Sequence, residues 1–128
     1  MALRFCVRGT LLSDAVHKIA FQGVPGAYSH MSCQAVKPDM EAVACASFED
    51  MLNEVEEGRA GLAMVPVENS IAGRVADIHH LLPSSGLYIT GEHFHRVNHH
   101  IMAPRGAKLE NLTHVHSHAQ GLAQCRNR

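Results

Sequence analysis

Tryptophan is absent and aromatic residues make up only 5% of the chain, so its apolar content is almost entirely aliphatic. Charge of one sign is not in excess either: 11 Lys and Arg stand against 12 Asp and Glu, a net charge of -1 with His neutral. That balance removes the electrostatic case for nucleic acid or an anionic membrane surface as a partner. No apolar run approaches the roughly 18 residues of a membrane span. The N-terminal stretch lacks the uninterrupted apolar segment of a secretory signal, and Asp14 argues against an acid-poor transit peptide. The four cysteines (Cys6, Cys33, Cys45 and Cys125) form no C-x-x-C pair and are scattered. They read as free thiols in a reducing, cytoplasmic setting and not as a disulfide framework. Neither G-x-G-x-x-G nor G-x-x-x-x-G-K-[ST] occurs, so a nucleotide-binding fingerprint is missing.

What is present suits a globular α/β domain. The length is 128 residues, 46% of them hydrophobic and 18% charged, which is enough for one domain with its own core. Residues 1–17 carry Arg4, Arg8 and Asp14 among short apolar pieces and read as an N-terminal extension outside the fold. Lys18 to Gln22 reads as a first strand, followed by a turn with two glycines and a proline (Gly23 to Ser29) and a helix over about 27–36 that Pro38 ends. Ala42 to Ala46 reads as a second strand. Ser47 and Asp50 form a capping box for a helix whose apolar face is Phe48, Met51, Leu52 and Val55, closed by Gly58.

The organising stretch follows. Leu62 to Val65 is a buried-strand run, and Ile71, Val75, Ile78 and Leu82 have helical spacing. Glu68, Asn69 and Ser70 are therefore expected where a strand ends and a helix begins, a place that offers backbone N–H groups to an anion. Leu87 to Phe94 reads as a fourth strand. Beyond it the pattern predicts a strand within 95–103, a short helix at 108–112, a short strand at 113–116, and a helix opened by Ser117 as N-cap. No Gly, Pro or polar cluster closes that last helix, so the chain reads as cut in mid-helix. Alternating strands and helices of this kind give a parallel or mixed sheet with helices on both faces.

The segment Val-Pro-Val-Glu-Asn-Ser-Ile-Ala-Gly-Arg-Val, residues 65–75, resembles the signature of prephenate dehydratases. Gly23-Val24-Pro25-Gly26-Ala27-Tyr28-Ser29 resembles the family's Gly-x-x-Gly-x-x-Ser opening. Ser117-His118-Ala119-Gln120-Gly121 resembles its Ser-His-Pro-Gln-Ala segment, with Ala119 and Gly121 replacing Pro and Ala. The resemblance runs from about Lys18 to Asn127. It implies a type II periplasmic-binding-protein-like, two-lobed fold, here the first lobe (about 18–94) and the beginning of the second (about 95–128), with substrate in the cleft between lobes. It implies decarboxylating dehydration of prephenate to phenylpyruvate in L-phenylalanine biosynthesis, without cofactor or metal, in a parent enzyme that is a homo-oligomer of the monofunctional type. Prephenate against arogenate stays open. The substrate-binding candidates are Asn69 and Ser70 first, then Glu68, Gly26, Ala27, Ser29, Ser117 and His118. The family's Thr-Arg-Phe motif, with its catalytic Thr, does not occur, and the regulatory ACT domain is also missing, so no catalytic residue is assigned and this chain is expected to be a truncated, inactive or nearly inactive form.

Two other readings compete. One is a non-enzymatic module of the same fold that binds a small anionic solute. The other is a metal protein: His114, His116 and His118 alternate, as do His93 and His95, and three imidazoles can hold zinc.

Overall fold

The computed structural model describes residues 1–7, 17–70 and 73–125. They fall into two compact units, Met1–Arg96 and Val97–Arg128.

The first unit is built on one mixed sheet. Its strands are β1 (Ala2–Val7), β2 (Lys18–Gln22), β3 (Glu41–Cys45), β4 (Leu62–Asn69), β5 (Gly73–Arg74) and β6 (Tyr88–Phe94). Its helices are α1 (Tyr28–Val36), α2 (Phe48–Glu56) and α3 (Ala76–Leu81). The sheet order is β3-β2-β4-β1-β6, and β5 pairs back on β4. β2 runs parallel to β3 and to β4. β1 is antiparallel to both of its neighbours, so β6 points the same way as β4.

Side-chain alternation divides the core between the two faces of the sheet. Ile19, Phe21 and Met64 turn to the face where Cys33 of α1 packs, together with Leu3 of β1. Ala20, Ala63, Val65 and Val67 turn to the other face, against Met51, Leu52 and Val55 of α2 and Ile78 of α3. Helices on both faces explain why β4 reads as a continuous apolar run. The α2 N-terminus forms as its residues predict: Ser47 Oγ accepts from the Asp50 N–H at 3.0 Å, and an Asp50 carboxylate oxygen accepts from the Ser47 N–H at 3.2 Å. Gly58 ends α2 at φ +74°, a conformation other residues rarely adopt.

Several sequence expectations change. Residues 1–17 read as an extension, yet Ala2–Val7 lies between β4 and β6. The reason is pairing. Leu3 is 0% exposed, while its neighbour Arg4 turns outward and lies 4.0 Å from Glu92 across the sheet. A charge at alternate positions breaks an apolar run on paper but suits a strand with one covered face. Residues 8–16 of that expected extension lie outside the described residues. The helix expected from 27 begins at Tyr28, with Ala27 as N-cap.

In the second unit, 97–103 and 113–116 form no strand, Leu109–Asn111 is one 3-10 turn, and α4 (Ala119–Gln124) is six residues long. No described residue of this unit is buried: Met102 is 92% exposed and Leu109 75%. A strand needs a neighbour to take its N–H and C=O groups, and this unit supplies none among its described residues.

Candidate substrate site

In an α/β sheet, ligands sit off the carboxyl ends of the parallel strands. The β2–β4 register pairs Ile19 with Leu62, Ala20 with Ala63 and Phe21 with Met64. The turn after β2 and the end of β4 therefore open on the same edge of the sheet. Gly26, Ala27 and Ser29 reach this edge from β2, and Glu68, Asn69 and Ser70 reach it from β4. The amino end of β1 and the carboxyl end of β6 come here too, since Ala2 pairs with both Glu68 and Phe94.

Locally, the organising stretch differs from its expected form. Glu68 and Asn69 are the last two residues of β4 and do not precede a helix. Asn69 pairs with Gly73, and Glu68 with Arg74, so the chain doubles back as a small hairpin. Gly73 has φ +82°, which a glycine takes without strain. The Val75 N–H donates to the Val67 carbonyl at 3.1 Å and holds the returning chain one residue further. The helix starts only at Ala76, and the apolar side chain of its N-cap Val75 makes no capping hydrogen bond. The helix-start anion site expected at Ser70 is thus not formed. Glu68 is an exposed strand residue. Ile71, the first residue of the expected helical face, and Ala72 lie outside the described residues.

At the β2 turn, the Gly26 N–H donates to Nδ1 of His30 at 3.0 Å. The His30 ring stacks on Phe21 with 5.2 Å between centroids. One amide of that turn is thereby taken by an imidazole of α1. Ser29, in the first turn of α1, is 8% exposed. Asn69 is half-buried and Ser70 exposed.

The sequence reading assigned no part in the substrate site to Tyr28, His30 or His95, all of which lie at this edge. The Tyr28 and His95 rings lie 5.5 Å apart, which ties the start of α1 to the end of β6. His93 and His95 share one side, 6.0 Å apart, as their alternation predicts. The Met1 ammonium donates to the His95 carbonyl at 2.9 Å. Burial holds the His95 imidazole below its ordinary value, and His93 and the Met1 ammonium push it the same way. Nε2 of His93 is buried without a hydrogen-bond partner. The one signal available in the sequence was the histidine pair at a strand end. Its approach to Tyr28 has no local signature.

Ser117 and His118 belong to the second unit and are exposed. α4 begins at Ala119, two residues past the expected N-cap Ser117. A methyl group at Gly121 would lie 2.9 Å from Ser117 Oγ, so the glycine leaves room for that hydroxyl over the first turn. His114 Nδ1 lies 3.0 Å from Thr113 Oγ1. Among the described residues, no three of His, Cys, Asp and Glu gather as a set that could hold a metal ion. Among them too, no helix is long and apolar enough to cross a membrane.

Comparison with known proteins places this geometry. The family model for prephenate dehydratase matches residues 19–128. A bifunctional N-acyl-homoserine lactone acylase/prephenate dehydratase of Komagataeibacter europaeus is 47% identical over 108 residues, covering 84% of this chain and 38% of the relative. Arogenate dehydratase/prephenate dehydratase 2 of Arabidopsis thaliana is 39% identical over 110 residues, 86% of this chain and 29% of the relative. A solved structure described as GqqA, a novel type of quorum quenching acylases, is 53% identical and superposes with a TM-score of 0.59, covering 63% of this chain and 42% of that one. The chain thus spans 38% of the length of the first of these curated relatives and 29% of the second. With a family model matched from the first strand of the parallel set onward, this chain belongs to the prephenate dehydratase family.

Proposed function

We propose that the carboxyl edge of the first unit is a substrate-binding part of a prephenate dehydratase, with Asn69 and Ser70 as donors to substrate. In this reading the two compact units are the first lobe and the beginning of the second lobe of a type II periplasmic-binding-protein-like fold. The observation that carries it is the shared edge: parallel pairing of β2 with β4 brings the Gly26–Ser29 turn and the Glu68–Ser70 end of β4 to one end of the sheet, inside the family match.

The chemistry suits these groups. Prephenate carries two carboxylates and a ring hydroxyl, and it becomes phenylpyruvate by losing carbon dioxide and water together. Neutral donors hold carboxylates without basic side chains. The first turn of α1 opens at the same edge with its helix dipole positive there. Donors fixed where charge develops supply much of the rate in such reactions. With the hairpin in place of a helix start, Asn69 and Ser70 act here through their side chains. Glu68 orients the hairpin, Gly26 and Ala27 shape the α1 turn, and Ser29, Ser117 and His118 are further substrate contacts. None is assigned a catalytic role, because the Thr-Arg-Phe group does not occur. The chain is proposed to bind prephenate without turning it over.

The test is calorimetric titration of prephenate into the 128-residue chain at neutral to alkaline pH, where the substrate does not decay, beside a phenylpyruvate assay. Saturable binding that Asn69→Ala weakens about tenfold, roughly 1.4 kcal/mol, supports the reading. An absence of binding to the intact chain sinks it. Turnover above the blank would sink the claim that the catalytic group is lacking.

The similarity to the bifunctional acylase/dehydratase and to GqqA favours one second reading, hydrolysis of the amide of an N-acyl-homoserine lactone. Release of homoserine lactone from such a substrate tests it directly.

A further inference from the structure

β6 is joined to the rest of the sheet through one strand. Among the described residues, it pairs only with β1, from Ala2 opposite Phe94 to Val7 opposite Tyr88. β1 in turn pairs with β4 on its other edge, from Ala2 opposite Glu68 to Cys6 opposite Ala63. The family match starts at residue 19, so the strand that bridges β4 and β6 lies outside the matched region, while β3, β4, β6 and all but the first residue of β2 lie inside it. Within that matched region, β4 and β6 point the same way and stand one strand apart.

We propose that the gap between β4 and β6 is a strand-addition site, and that Met1–Val7 is its exchangeable occupant. The gap takes an extended segment of about six residues, running antiparallel to both walls. Main-chain hydrogen bonds to two neighbours supply the attraction, and alternate side chains supply selectivity. The selective position is Leu3, whose side chain is 0% exposed among Ile19, Phe21, Cys33 and Met64. The next position takes a cation that faces Glu92, as Arg4 does at 4.0 Å. Two features make the occupant separable. β1 has register shifts at Ala2/Leu3 against β4 and at Phe5/Cys6 against β6, which interrupt both ladders. Pro66, the partner of Leu3, has no N–H to give to the ladder. The ladders that join β3, β2 and β4 involve no residue of β1. Displacing β1 therefore frees β6, and with it the His93–His95 end that touches Tyr28. This inference rests on the fold and is independent of the substrate reading.

Hydrogen exchange on the full chain tests it. Leu3→Asp puts a carboxylate into the covered position and expels β1. The expected result is exchange at least tenfold faster across Tyr88–Phe94, with Lys18–Gln22 and Glu41–Cys45 as protected as before. A Met1–Val7 peptide extended by two lysines then restores slow exchange in β6, and the same peptide carrying Leu3→Asp does not. Arg4→Glu, which sets like charges opposite each other without touching the core, gives the same localised pattern at smaller size. Unchanged exchange in β6 in both variants overturns the proposal, as does acceleration spread evenly over the first unit. Failure of the peptide to restore protection at saturation overturns it as well.

Discussion

Cys33 offers a quantitative check on how α1 is seated. It sits on the inner face of the helix, 1% exposed, among Ile19 and Phe21 of β2 and Met64 of β4. Burial pushes its thiol up from 9.0 to about 12, against a smaller opposing pull from a backbone hydrogen bond. Thiolate is the reactive form. At pH 8 a thiol titrating at 9.0 is about one-tenth ionised, and one titrating near 12 about one part in ten thousand, a loss of roughly 10³ in reactive species. Steric cover adds to this. Iodoacetamide labelling at pH 8, mapped peptide by peptide, should therefore modify Cys33 in the folded chain at least about 10³ times more slowly than in guanidinium. Cys45, 7% exposed and raised by burial and then by Glu54 and Asp50, should also be protected relative to the unfolded chain. Labelling of Cys33 within tenfold of its unfolded rate would refute the packing. The Gly26–Ser29 turn would then not be held at the sheet edge, and the site argument would lose its first anchor.

Three further outcomes are expected. Ser47→Ala removes the α2 cap and its reciprocal bond, and should cost about 1 kcal/mol in urea unfolding with little change in the slope. Met51→Ala leaves a hole beneath α2 at a fully buried position and should cost about 2–5 kcal/mol by the same measurement. Because the folded state holds His95 below its ordinary value, the unfolded chain binds that proton first. The stability of the first unit is then complete above about pH 6.5 and falls as pH drops below it, and His95→Asn should flatten that part of the profile, read by thermal melts from pH 7.5 to 5.

Much of the fold was legible in the sequence because it is written in short-range patterns. The first strand falls on Lys18–Gln22 as read, the Ser47/Asp50 capping box forms, and Gly58 closes the helix. Each of these depends on residues within a turn or a strand of one another. The hairpin after Asn69 was misread for a related reason. Ile71, Val75, Ile78 and Leu82 have helical spacing, but Val75 is the residue whose N–H returns to Val67, so long-range pairing prevailed over periodicity for the first part of that stretch. Tyr28 and His95 at the site edge could not be anticipated, because their approach requires β6 to be laid beside β1.

By itself the sequence determined most of the strands and helices between Lys18 and Phe94, the turn that carries Gly26–Ser29, and the resemblance to prephenate dehydratases. Those features reside in composition, spacing and local hydrogen bonding. Only the tertiary structure decided that Ala2–Val7 belongs to the sheet, that Asn69 stays in a strand, and that the Met1 ammonium reaches the His95 carbonyl 94 residues away. The physical reason is that a strand is stable only with a neighbour, and the identity of the neighbour is set by closure of the whole sheet.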